Sequence, residues 1–241
     1  MSGDDLVAIV VCLRASQALA IKPHLTRATQ QLALDILRQF DPALSATHHA
    51  GLDTPRAYTA AGPFRAASLE PVTGAVERGE RAWLRLTGFE PAVAQALRAF
   101  AAQPPKALEL DHRAWQVDAV LSDDRLWAGR ASYGALIQQH ARVPAPRTLT
   151  LDFATPTTFH SDGLDVRLPL PRLVFGSLMR RWSTFAEIAL PDDLTPFIDQ
   201  RLSVADHDIH TRTLNIRQQE TGFLGSVTFR IEPSNPQARK M

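Results

Sequence analysis

The sequence predicts an α+β protein of two tandem ferredoxin-like βαββαβ units, the second lacking its last helix and strand. Three observations carry that expectation. Apolar residues switch repeatedly between strand-like alternation and helix-like spacing along the 241 residues. The resulting order is β-α-β-β-α-β in the first half and β-α-β-β in the second, and the first of these is the ferredoxin-like unit. A stretch holding Pro144 and Pro146 interrupts the pattern between them. The expected units are residues 1–143 and 144–241.

The elements follow in order. Leu6 to Leu13 is a short, β-branched apolar run and reads as a buried strand. From Leu25 to Phe40, Leu32, Ile36 and Phe40 recur every four residues beside Leu34 and Leu37, an amphipathic helix that stops before Asp41-Pro42. A loop rich in His, Gly and Pro is expected next, then a weaker strand around Tyr58 to Leu69. Ala82 to Thr87 alternates as a strand, Pro91 to Ala102 is a helix with proline in its first turn, and Ala107 to Leu121 holds one or two strands. In the second half, Thr148 to Phe153 alternates and a loop is expected through Pro156 and Gly163. A helix over Pro171 to Phe185 places Val174, Leu178 and Phe185 on one face with Trp182. A short helix over Pro191 to Gln200 and strands over Ser203 to Arg217 and Gly222 to Ile231 complete the reading. The expected second sheet has three strands and an exposed edge, with truncation of the chain the favoured explanation.

Composition bounds the function. The start, Met1-Ser2-Gly3-Asp4-Asp5, is acidic where a secretory signal is basic and then apolar, and no apolar run reaches about 18 residues, so a cytoplasmic protein without membrane contact is expected. The single cysteine, Cys12, lies in the first strand, which excludes an intrachain disulfide and predicts a buried thiol. Lys and Arg number 26 against 25 Asp and Glu, a net charge of +1 that by itself gives little support for a polyanion partner. The basic residues are mostly arginine, however, and Arg167, Arg172, Arg180, Arg181, Arg212 and Arg217 all fall in the second half. Arginine suits bidentate phosphate contacts and stacking on bases, and a scatter of surface arginines is the plainer alternative.

Three segments carry a family resemblance. The first runs from the opening strand through Leu34-Asp35-Ile36-Leu37 to Asp41-Pro42-Ala43-Leu44-Ser45-Ala46-Thr47-His48-His49 and Pro55-Arg56-Ala57-Tyr58-Thr59. The second, and most specific, is Phe153-Ala154-Thr155-Pro156-Thr157-Thr158-Phe159 followed by Pro169-Leu170-Pro171-Arg172-Leu173-Val174-Phe175-Gly176-Ser177-Leu178 and Arg181-Trp182. The third is Gly222-Phe223-Leu224-Gly225-Ser226-Val227-Thr228-Phe229. Together they resemble the CRISPR-associated endoribonucleases that process precursor CRISPR RNA, within the RAMP superfamily. Two features depart from that pattern: the family's C-terminal glycine-rich loop has no counterpart here, and Gln30 or Gln31 stands where many members carry a histidine in the first helix.

The resemblance implies RNA as partner and metal-independent cleavage inside a CRISPR repeat, in which the 2′-hydroxyl attacks the adjacent phosphate and leaves a 2′,3′-cyclic phosphate. Such a reaction needs proton-transfer groups and a cation. His49 is the first candidate, His48 the second, and Arg56 the cation that stabilises charge on the phosphate. Solvated histidines in a loop are the plain alternative. The RNA-binding candidates are Arg172, Arg180, Arg181, Arg212, Arg217 and Phe223, with Phe159 as a second stacking residue. No cofactor and no metal is expected: His207 and His210, in Asp206-His207-Asp208-Ile209-His210, read as a strand or turn with solvated charges. The glycines of Gly222-Phe223-Leu224-Gly225 read as close backbone approach in a sheet. Trp83, Trp115, Trp127 and Trp182 are expected in the core. The rival function is a non-catalytic RNA-binding subunit of a CRISPR effector complex, and other effector subunits or a second copy are the further partners weighed. A two-histidine phosphoesterase is set aside, because His24-Leu25-Thr26 supplies one of the two motifs that chemistry needs.

Overall fold

The computed structural model describes residues 5–21, 25–50, 55–66, 68–123, 127–215 and 219–233. The chain divides into two compact units, one essentially Met1–Gln139 and the other His140–Leu214 with Gln218–Met241.

In the first unit, β1 (Leu6–Ala15) is central because its odd-numbered residues are all apolar: Val7, Ile9, Val11, Leu13 and Ala15 are each at most 5% exposed. Fully burying one such large apolar side chain is worth about 1.5–3 kcal/mol. A separate two-stranded sheet pairs β2 (Leu19–Ile21) antiparallel with β4 (Gly74–Val76). The main sheet has the order β3-β5-β1-β7-β6, with β3 (Tyr58–Arg65), β5 (Arg81–Gly88), β6 (Ala107–Leu110) and β7 (Arg113–Leu121). A short β8 (Gly129–Ala131) pairs with the start of β1. Helices α1 (Leu25–Phe40) and α3 (Pro91–Ala102) pack on the sheet, α1 through Leu25, Thr29, Leu32, Ala33, Ile36 and Leu37, α3 through Val93, Ala94, Ala96 and Leu97. That three-and-four spacing is the helical stripe, although Phe40, placed on it by sequence, is 41% exposed at the helix end. The one polar member, Thr29, donates its hydroxyl hydrogen to the Gly62 carbonyl at 2.9 Å.

The segment expected as a His-, Gly- and Pro-rich loop begins instead with a helix, α2 (Pro42–Ala50). Asp41 explains the difference. Its carboxylate accepts from the Ala43 N–H at 2.9 Å while Pro42 takes the first helical position, so Asp41-Pro42 both ends α1 and starts α2. A further helix, α4 (Tyr133–Ala141), was not anticipated.

The second unit contains β9 (Thr148–Thr157), β10 (Phe159–Ser161), β11 (Leu164–Val166), α5 (Pro171–Phe185), α6 (Leu194–Arg201), β12 (Leu202–Asn215) and β13 (Gln219–Ile231). The loop expected through Pro156 and Gly163 is mostly strand: β9 runs on through Pro156, and β10 and β11 form a hairpin whose turn uses positive φ at Asp162 and Gly163. The sheet order is β12-β13-β9, so among the described residues this sheet has three strands and a free outer edge on β9 and on β12. In a complete ferredoxin-like unit the fourth strand lies beside the first, here β9. The core gathers Val174, Val227 and Phe229, with Leu151, Phe153, Phe159, Phe175, Leu202 and Ile209 packed against it. Both glycines of the Gly-Phe-Leu-Gly segment are required by close approach, as expected. A Cβ on Gly225, whose φ is +122°, would lie 2.1 Å from the Asp208 carbonyl oxygen, and one on Gly222 would lie 2.6 Å from the Thr157 nitrogen.

Candidate active site

Helix α2 is nine residues long, too short to be stable alone, and polar contacts fix it to the first unit. Near its middle, the Ser45 hydroxyl donates to the Leu34 carbonyl of α1 at 3.1 Å. In its last turn, His48 is 9% exposed and its Nε2 lies 2.9 Å from Glu90 Oε1. Tyr58, at the start of β3, sets its ring edge-on to the His48 imidazole, with 6.2 Å between centroids and 78° between planes. Among the described residues, the Tyr58 hydroxyl is buried with no hydrogen-bond partner of good geometry. Burial pushes its pKa up, and the charge of the Arg56 guanidinium pulls it the other way.

Of the sequence candidates, the structure brings His48 and Arg56 together around Tyr58. His49 occupies the same last turn of α2, and its side chain lies outside the described residues. Glu90 and Tyr58 were not among the candidates. No local signal marks Glu90, since its partner lies 42 residues away in sequence. Tyr58 stands inside the quoted Pro55-to-Thr59 segment but read only as a strand residue.

The arginines are distributed differently. Arg172 and Arg180 are exposed on α5, Arg181 is half-buried there, Arg212 is half-buried on β12, and Arg217 lies outside the described residues. Arg167 donates from Nε to the Thr221 carbonyl at 2.9 Å. Phe223 is corrected: it is 0% exposed and packs on Phe153 and Phe159 at 4.8 and 6.1 Å, so it is a core residue and no base can stack on it. The tryptophans also divide. Trp115 is fully buried, whereas Trp127 is 40% exposed and stacks beside a half-buried Trp83. Cys12, expected buried, is half-buried on the sheet face opposite the helices. His207 and His210 stand exposed on β12. Among the described residues no helix is long and apolar enough to cross a membrane.

Residues 151–239 match the sequence model of the CRISPR-associated endoribonuclease Cas6 family. A Cas6 endoribonuclease of Streptococcus thermophilus is 29% identical over 83 residues, 33% of this chain and 34% of the relative. The match thus spans about a third of that curated relative. Among solved structures, a Cas6 product complex is similar with a TM-score of 0.76 at 23% identity, covering 98% of this chain and 89% of the other. The chain resembles Cas6 in sequence and in fold. A RAMP protein described as binding different RNA substrates is similar at a TM-score of 0.53 and 12% identity, over 97% of this chain and 90% of its own. The Cas6-like sequence match lies in the second unit, whereas the His48, Tyr58 and Arg56 cluster lies in the first; the structural likeness covers both.

Proposed function

We propose that the protein binds CRISPR repeat RNA and cleaves it, without a metal ion, to give mature guide RNA. The observation that carries this reading is the Cas6 match over residues 151–239. The cluster on α2 and β3 supplies groups suited to the chemistry. In the proposed step the RNA 2′-oxygen bonds to the adjacent phosphorus and the bond from phosphorus to the 5′-oxygen breaks. The 2′-hydroxyl gives up its proton and the departing 5′-oxygen gains one, leaving a 2′,3′-cyclic phosphate. His49 is assigned to proton transfer: His48, its neighbour in the turn, is buried with Nε2 held by Glu90. Arg56 is assigned to the charge that gathers on the phosphate oxygens. The exposed Arg172 and Arg180 on α5 are assigned to phosphate contacts, together with Arg181, Arg212 and Arg217.

His49→Ala should slow single-turnover cleavage of repeat RNA by about 10²-fold or more while the Kd for RNA changes little. EDTA should leave the rate unchanged. Wild-type cleavage by His49→Ala, or loss of cleavage on chelation, would overturn the assignment. The likeness to the RNA-binding RAMP protein favours a second reading, a non-catalytic RNA-binding subunit, which would bind the repeat and produce no cyclic-phosphate end.

A further inference from the structure

Glu90 sits at the N-terminal boundary of α3, where its negative charge faces the positive end of the helix dipole and the first free N–H groups of the helix. Its side chain makes no cap hydrogen bond to them. Its carboxylate instead reaches His48 on α2, at 2.9 Å from Nε2.

The backbone that carries Glu90 is unusually constrained. The Phe89 N–H donates to the Ala57 carbonyl at 2.8 Å, and the Phe89 carbonyl accepts from the Tyr133 hydroxyl at 2.7 Å. Gly88 lies so close to α3 that a Cβ there would come within 2.9 Å of Val93 Cγ1. Glu90 therefore extends from a fixed point between β5 and α3, whereas among the described residues α2 has its cap at Asp41 and the Ser45 contact as its other polar ties. Both of those ties hold the first half of α2. Among the described residues, the His48–Glu90 contact is the polar tie to its last turn, where His49 resides.

We propose that Glu90 is a positioning residue that, through His48, fixes the last turn of α2 and hence the histidine that meets RNA. The proposal rests on the reading of α2 as the reactive helix. Neither Glu90 nor His48 touches substrate in this scheme. A misplaced reacting group can cost up to about 10²-fold in rate, which sets the scale of the effect.

The test combines hydrogen–deuterium exchange across residues 42–50 with single-turnover cleavage and RNA affinity, in the full chain. Glu90→Ala and His48→Ala should each speed exchange in the last turn of α2 and lower cleavage by about 10- to 100-fold with an unchanged Kd. The double variant should be no worse than His48→Ala alone, because the contact with Glu90 is already lost there. Glu90→Gln, whose carbonyl still accepts from the imidazole N–H, should restore slow exchange and most of the rate. Arg14→Ala, which breaks the Arg14–Asp118 pair at 2.9 Å in the same sheet, should change neither readout. Unchanged exchange in Glu90→Ala, additive losses in the double variant, or faster exchange with wild-type cleavage would each overturn the proposal. If the wild-type protein does not cut repeat RNA, the cleavage reading fails, and the exchange data still decide whether Glu90 holds α2.

Discussion

The two units bury apolar surface very differently. In the first, helices α1 and α3 and five paired strands enclose fully buried residues as large as Trp115, Leu37 and Leu97. In the second, Val174, Ile198, Phe223, Val227 and Phe229 are the large apolar side chains buried among the described residues, while Leu149, Leu178 and Phe197 are 42%, 53% and 36% exposed. Those three line an apolar cavity of about 270 Å³ beside Phe175, Leu202 and Phe229. Every strand needs cover on its apolar face, and a three-stranded sheet under α5 and the short α6 has too little of it. Local stability follows the density of buried contacts, so the second unit should open first.

The sharpest way to break that comparison is to remove one large core side chain from each unit. Phe229→Ala and Trp115→Ala should each cost about 3–5 kcal/mol. Limited proteolysis read by mass spectrometry should then find cuts within residues 148–231 of Phe229→Ala, whereas Trp115→Ala keeps residues 6–121 resistant at a lower melting temperature. Equal susceptibility of the two would remove the distinction. A smaller effect is expected from Thr29→Val, which deletes the hydroxyl bonded to Gly62 inside the well-packed unit and should lower stability by about 1–3 kcal/mol in chemical denaturation.

The units should also separate in their response to salt. Arg180→Ala should weaken RNA binding and flatten the dependence of log Kd on log salt by roughly 0.7 to 0.9. Arg14→Ala, whose guanidinium already faces Asp118, should leave the slope as it is. If both behave alike, the phosphate-binding face is not on α5. The smallest effect concerns Cys12, whose thiol pKa is raised first by burial and then by Asp118, with Arg81 opposing. A raised folded-state pKa means the folded protein holds its proton more tightly than the unfolded chain. The stability this gives is present below the ordinary thiol range and is lost as pH climbs through it. Cys12→Ala should therefore show a shallower alkaline decline in melting temperature than the wild type.

Much of the architecture was legible in the sequence because it depends on period. The β-branched apolar run of Leu6 to Leu13 marks a buried strand and the spacing from Leu25 to Leu37 fixes which helix face is buried, and neither needs a distant partner. Phe223 was misread even so: its alternation with Gly225, Val227 and Phe229 already places it on the inward face of β13. Helix α2 was missed because Asp41-Pro42 reads equally as a stop and as a start, and the capping hydrogen bond to Ala43 decides between them. Glu90 could not be read at all, since its role exists only once β5 and α2 are brought together. His49 and Arg56 came from the family resemblance rather than from any property of the residues alone.

Gly225 has a consequence for how this chain can change. Every single-nucleotide substitution in a glycine codon that alters the amino acid introduces a Cβ, and at this position that carbon meets the Asp208 carbonyl oxygen. No point mutation at 225 leads to a tolerated neighbour. The backbone oxygen opposite cannot be mutated away either, because every residue at 208 carries one. The crossing of β12 and β13 is therefore frozen on both sides, and inheritance can revise the surface of this hairpin only through the side chains that flank the crossing.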